Sequence, residues 1–164
     1  MKKLILSLTL ALALGAALAF AEDNAPATEE ISAAGKYPLK VCPVSGETLG
    51  EMGDPVVKVY DGREVKFCCK NCVGTFEKDL ASSMQILDNK IYEAEKAAYP
   101  LKTCVVSGET LGEMGDPYPY MYKNQLVEFC CQNCVSTFEK DPDKYLSMIY
   151  AAHAKSVEPE ESKE

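Results

Sequence analysis

Residues 37–87 of this 164-residue chain return, shifted by 62 positions, as residues 99–149, with identity at about 30 of 51 places. Ser45 through Pro55 reappears unchanged as Ser107 through Pro117, and Phe67-Cys68-Cys69-Lys70-Asn71-Cys72 reappears as Phe129-Cys130-Cys131-Gln132-Asn133-Cys134. A repeat of this period dictates the architecture before any local propensity is weighed. The chain is a duplicated module, and its eight cysteines divide four and four at the same spacing. Each module has about 55–60 residues, a size at which an apolar core alone is marginal and a staple is needed.

The flanks lack the repeat. Met1-Lys2-Lys3 followed by the apolar run Leu4–Ala19 and the small residues of Ala19-Phe20-Ala21 has the order of a secretory signal peptide. The run is shorter than the roughly 20 apolar residues of a membrane span. We therefore expect residues 1–21 to be a signal peptide, 22–36 a flexible leader, 37–98 a first module with a connecting helix, 99–155 a second module with a C-terminal helix, and 156–164 an acidic tail. A periplasmic or secreted location follows. Cleavage removes two of the 17 basic residues and none of the 25 acidic ones, leaving a formal charge of −10. Such a surface repels phosphate, which argues against nucleic acid and anionic lipid as partners.

Within a module the pattern is that of an α+β fold. Val57 and Val59 alternate with polar residues, Asp61-Gly62 is a turn signal, and Val65 and Phe67 alternate again, which predicts a β-hairpin. In the second module Asn124 replaces Gly62 and is expected to take the left-handed turn position. Pro119 marks its strand as an edge. Val73 and Phe76, or Val135 and Phe138, follow at the spacing of a first helix. Asp141-Pro142 reads as a helix cap with proline at the first helical position. Tyr145, Met148, Ile149 and Ala152 mark one face of that C-terminal helix, and Met84, Leu87 and Ile91 mark the face of the connecting helix. The exposed edge carrying Tyr118, Tyr120 and Tyr122 is the one suggestion of a protein docking surface.

The cysteines carry the chemistry. One stands alone in a Gly-rich turn (Cys42, Cys104), and a cluster follows 26 residues later: Cys68, Cys69 and Cys72, or Cys130, Cys131 and Cys134. The hairpin between them folds the chain back so that both reach one point. The outer pair of each cluster is spaced for one helix face and the inner pair is Cys-x-x-Cys. Four converging thiolates form the closed tetrahedral set of structural zinc, and soft thiolates in twos or threes suit Cu(I). Cys68 and Cys69 are adjacent and share an ion only if Cys68 ends the strand before the helix starts. Otherwise the set is Cys42, Cys68 and Cys72 with an open position.

Lone Cys, hairpin, Phe-Cys-Cys-x-x-Cys, Phe and Asp-Pro-x-x-Tyr, in that order, resemble the YHS and TRASH families of small metal-binding modules, over residues 39–80 and 101–146. The resemblance implies a treble-clef zinc-finger relative associated with heavy-metal sensing and trafficking, with ligands at Cys42, Cys68, Cys72, Cys104, Cys130 and Cys134. Cys69 and Cys131 depart from the family pattern, which usually has serine there, and add either a ligand or a redox function. Val105 departs likewise in place of Pro43.

Two other readings compete. In an exported chain the cysteines can be a disulfide framework, in which Cys42 bridged to its cluster would close a loop of about 27–31 residues and stabilise by roughly 2–4 kcal/mol. Three of the four thiols lie within five residues, however, a layout better suited to chelation than to two bridges. The Cys-x-x-Cys pairs also have the spacing of a thiol-disulfide oxidoreductase, but without the βαβ context of that chemistry. His153, the single histidine, falls near the end of the last helix and reads as a surface residue. Met52 and Met114 read as turn residues covering the hairpin, with a thioether contribution to copper as the sharper alternative. The sequence thus predicts a non-catalytic, exported protein holding about one Zn2+ or Cu(I) per module.

Overall fold

A computed structural model describes residues 32–157. The signal-peptide reading of 1–21, residues 22–31 of the expected leader and residues 158–164 of the expected tail lie outside the described residues, whereas Ser156 and Val157, expected in that tail, end the last helix. In chain order the elements are β1 (Val56–Tyr60), β2 (Arg63–Phe67), α1 (Lys70–Glu77), α2 (Leu80–Glu95), β3 (Tyr118–Tyr122), β4 (Gln125–Phe129), α3 (Val135–Phe138) and α4 (Pro142–Val157), with 3-10 turns at Ala33–Gly35, Lys96–Ala98 and Gln132–Cys134. The fold is α+β: two small antiparallel hairpins, each followed by two helices, in two similar modules.

The first hairpin turns at Asp61 and Gly62, both left-handed (φ 49° and 71°), the geometry a two-residue connection needs to match the twist of its strands. Its faces differ from the alternation expected for β1. Val56 stands opposite Phe67 and Tyr60 opposite Arg63 on the core side, whereas Val57 and Val59 pair with Lys66 and Glu64 and remain 48% and 45% exposed. The core face of β1 carries Val56 and Tyr60, whose ring lies 5.6 Å from that of Phe76, on the side of the buried Val65 and Phe67; Lys58 on the same side stays exposed. In the second turn the left-handed residue is Lys123 (φ 54°), not Asn124 as expected. Asn124 is drawn inward instead and is 2% exposed.

Helix starts follow the sequence. Asp79 caps α2 through the Ser82 amide, and Asp141 accepts from the Lys144 amide ahead of Pro142. Each module then closes its own core. Cys42, Val65, Phe67, Val73, Phe76, Leu87 and Ile91 form the first, and Cys104, Val105, Val127, Phe129, Phe138, Leu146 and Ile149 the second. On α4 it is Leu146 that joins Ile149 inside. Met148, expected on that face, is 47% exposed. Tyr118, Tyr120 and Tyr122 pack against the second module's core, Tyr120 and Tyr122 edge-on to Phe138, and stay partly exposed.

The modules are joined by α2, which packs on the outer face of the second hairpin beside Leu126 and Met121. Asn124 clasps this junction. Its backbone amide donates to Ala34 O, its side-chain amide to Gly35 O and Glu64 O (2.8 Å each), and its carbonyl accepts from Arg63 Nε at 2.9 Å. Arg63 in turn pairs with Asp88 of α2. Every polar group of this buried side chain is engaged, as burial requires. The end of the expected leader is therefore ordered: Ala34 sits in the second module's core, and Gly35 is buried.

Candidate metal centre

Each lone cysteine is set by a tight turn. The Cys42 amide donates to Glu47 O and the Gly46 amide to Cys42 O, with Gly46 in the left-handed region (φ 78°) and Leu49 closing back onto Lys40. Cys104 repeats this with Glu109, Gly108 and Lys102. The turn curls the backbone around the sulfur, and both residues are buried, at 0% and 1% exposure. In the first module Lys90 of α2 also donates to Pro43 O at 2.9 Å, tying the turn to the helix.

The clusters sit where strand hands over to helix. β2 ends at Phe67, Cys68 lies in the link, Cys69 is the N-cap residue, and Cys72 is in the first turn of α1. Cys68 thus precedes the helix and does not share its face with Cys72 by helical periodicity. The sulfurs meet nonetheless, because extended backbone at Cys69 swings Cys68 over the helix start, leaving Cys68 Sγ 3.6 Å from Cys72 Sγ. The sulfurs of Cys42, Cys68 and Cys72 all lie within 4.8 Å of one another, as do those of Cys104, Cys130 and Cys134. Cys69 is outside the first group, with its sulfur 3.7 Å from that of Cys72. Cys131 is outside the second, 3.9 Å from the sulfur of Cys130. All eight are free thiols.

The donor set fits a metal ion. Sulfurs about 2.3 Å from a common ion lie roughly 3.8 Å apart in tetrahedral geometry and about 4.0 Å apart in trigonal geometry, a span these groups can accommodate. Electrostatics agree. Burial pushes Cys42 up, but hydrogen bonds from the Ser45 hydroxyl and the amides of Ser45, Cys68 and Val44 outweigh it and bring the thiol down to about 6. Cys104 is brought to about 7 by Ser107 and the matching amides. Cys72 is pushed up to about 12 by burial and by its sulfur neighbours, and Cys134 is raised for the same reasons. Cys42 and Cys104 are thus the most readily ionised members of their groups, beside thiols kept protonated chiefly by burial, and a cation would favour loss of those protons.

Ser45 and Ser107 are site residues that the sequence reading missed. Their hydroxyls lie 3.3 and 3.2 Å from Cys68 Sγ and Cys130 Sγ while also reaching the lone cysteine. The signal was their fixed place three residues after each lone cysteine in both copies. His153 belongs to neither sulfur group. Met52 and Met114 are 64% and 69% exposed, so they do not cover the hairpin. Among the described residues no helix is long and apolar enough to cross a membrane. Family models, curated proteins and solved structures were all compared with this chain, and none matches.

Proposed function

We propose that this is an exported, non-catalytic carrier or buffer of a soft metal ion, which binds one Cu(I) per module through Cys42, Cys68 and Cys72 and through Cys104, Cys130 and Cys134. The observation that carries the reading is the pair of three-sulfur groups, alike in both modules and each built on a buried lone cysteine. Three thiolates suit Cu(I), whereas structural zinc takes a closed set of four. The resemblance to YHS and TRASH modules points the same way, and the signal-peptide pattern of residues 1–21 supports export. The formal charge of −8 on the full chain favours cations over anionic partners.

A second reading has its own observation. The 3.7 Å between Cys69 and Cys72 would let Cys69 swing in as a fourth ligand to zinc, making the modules structural and leaving their surfaces for a protein partner. Titrating the reduced protein with Cu(I) against a competing chelator separates the two. Carriage predicts saturation at two tightly held ions per chain, one after Cys42→Ser, and none held tightly after Cys42→Ser with Cys104→Ser, where the sulfurs left behind bind only weakly. Two tightly held zinc ions that Cu(I) fails to displace would favour the structural reading.

A further inference from the structure

The position of Cys69 and Cys131 is unexplained by the three-sulfur groups and unfavourable by ordinary helix chemistry. Both are N-cap residues, the place where serine, threonine, aspartate or asparagine would satisfy a free amide of the first turn. The Asn71 and Cys72 amides approach the Cys69 sulfur, and the Asn133 and Cys134 amides that of Cys131, but a thiol sulfur is a weak acceptor and neither contact is a full capping bond. A better cap has thus been forgone twice in one chain for a thiol, although other positions of the two copies diverge freely, as Lys70 and Gln132 do one residue later. Neither cysteine fills the core: both are partly exposed and lie at its margin.

Their placement suits passage. Cys42 and Cys104 are closed to solvent at the back of each group, and Cys72 and Cys134 are buried beside them. The partly exposed sulfurs are those of Cys68 and Cys69, or Cys130 and Cys131. Cys69 is therefore on the solvent side, outside the resident three, yet 3.7 Å from the buried Cys72 sulfur, close enough for one ion to touch both. Two thiolates are a sufficient shell for Cu(I).

We infer that Cys69 and Cys131 are entry ligands, through which a Cu(I) ion arriving on a thiolate-bearing or other soft-donor carrier passes by ligand exchange into the three-sulfur group. This rests on the copper reading above. The Cys69 thiol loses its proton to water as its sulfur bonds to the ion and one carrier donor leaves. Cys72 then bonds, its proton also going to water, as the last carrier donor departs. Bonds to Cys68 and Cys42 complete the resident shell while the bond to Cys69 breaks; the departing Cys69 sulfur takes up the proton displaced from Cys68, and any proton displaced from Cys42 goes to water. Copper stays monovalent throughout, so no oxidant or reductant is consumed. Release to an acceptor is the same path reversed.

The test uses Cys69→Ser with Cys131→Ser, a near-isosteric change that supplies a better cap, so the fold is kept. Reduced full-length protein is mixed with Cu(I) held by a coloured bidentate chelator, and transfer is followed by loss of colour. The expected result is two ions bound at an affinity within about threefold of the parent, with the transfer rate lowered tenfold or more. Cys69→Met with Cys131→Met, which restores a soft donor, should recover most of the rate. An unchanged rate overturns the entry role, as does a loss of stoichiometry or affinity, which would make these cysteines resident ligands. If the parent chain itself takes no copper from the chelator, it is the copper reading that fails, and the entry role falls with it.

Discussion

The two hairpins share their inner faces and differ on their outer ones. Inside, Val65 and Phe67 correspond to Val127 and Phe129, and both pairs are fully buried. Outside, the first hairpin carries Val57, Val59, Glu64 and Lys66, the valines exposed and Glu64 accepting from the Tyr37 amide, whereas at the matching places the second has Pro119, Met121, Leu126 and Glu128, with α2 packed beside Met121 and Leu126. Glu64 became Leu126, 1% exposed, and Gly62 became Asn124, the clasp. The sulfur groups kept their geometry through this divergence. The three-sulfur group is therefore a property of each module alone, and the junction is a separate, one-sided addition.

The largest effect should come from the sulfurs. In small modules bound metal is folding free energy, on the order of 10 kcal/mol where the site is structural. Cys42→Ser should lower the thermal stability of the first module sharply while the second still holds its ion. Calorimetry of the half-loaded chain would show one early and one late transition. A single shared transition would mean that the junction couples the modules more strongly than their separate cores imply.

Next come the outer faces. Leu126→Ala should cost about 2–5 kcal/mol by opening a void under α2. Val59→Ala, on the uncovered face of the other copy, should stay within about 0.5 kcal/mol. Urea unfolding of the metal-loaded protein reads both, and equal losses would erase the distinction. Asn124→Ala should cost about 1–3 kcal/mol, since it leaves the carbonyls of Gly35 and Glu64 and the Arg63 guanidinium short of a partner. It should also expose the segment before Tyr37 to protease while both ions remain bound.

The smallest effect is in pH. Burial raises Glu95 at the junction above its ordinary 4.5, although the Leu126 amide bonds to it and pulls the other way. The folded chain therefore holds this proton more tightly than the unfolded one. Stability from this group is full below 4.5 and is lost as pH rises through the folded value. Glu95→Gln should remove that slope in urea midpoints measured across the acid range, and a slope unaltered by the substitution would place its source elsewhere.

What the sequence made legible was what each module does by itself. The repeat, the Asp61-Gly62 turn, the cap at Asp141 and the meeting of lone cysteine with cluster all follow from residues close in the chain or held by one hairpin. What it hid was packing against elements outside the hairpin, within a module or across the junction. Val57 and Val59 alternate as core residues would, yet it is the other face that turns inward, with the Tyr60 ring on Phe76. Asn124 suits a left-handed turn by propensity, but four hydrogen bonds to residues 60 to 90 positions away hold it elsewhere. Cys69 was ambiguous because its fate depends on where the strand ends, a boundary fixed by the residues around it and not by its own type.

X-ray absorption at the copper edge, on chain loaded with two Cu(I) per molecule, addresses the sulfur groups most directly. Three sulfur neighbours per ion at about 2.3 Å, with no nitrogen or oxygen in the shell and the same spectrum from each module when the other is disabled, is the predicted result. A shell of mixed oxygen and nitrogen, or a folded chain that keeps eight titratable thiols and binds no ion at all, would contradict it.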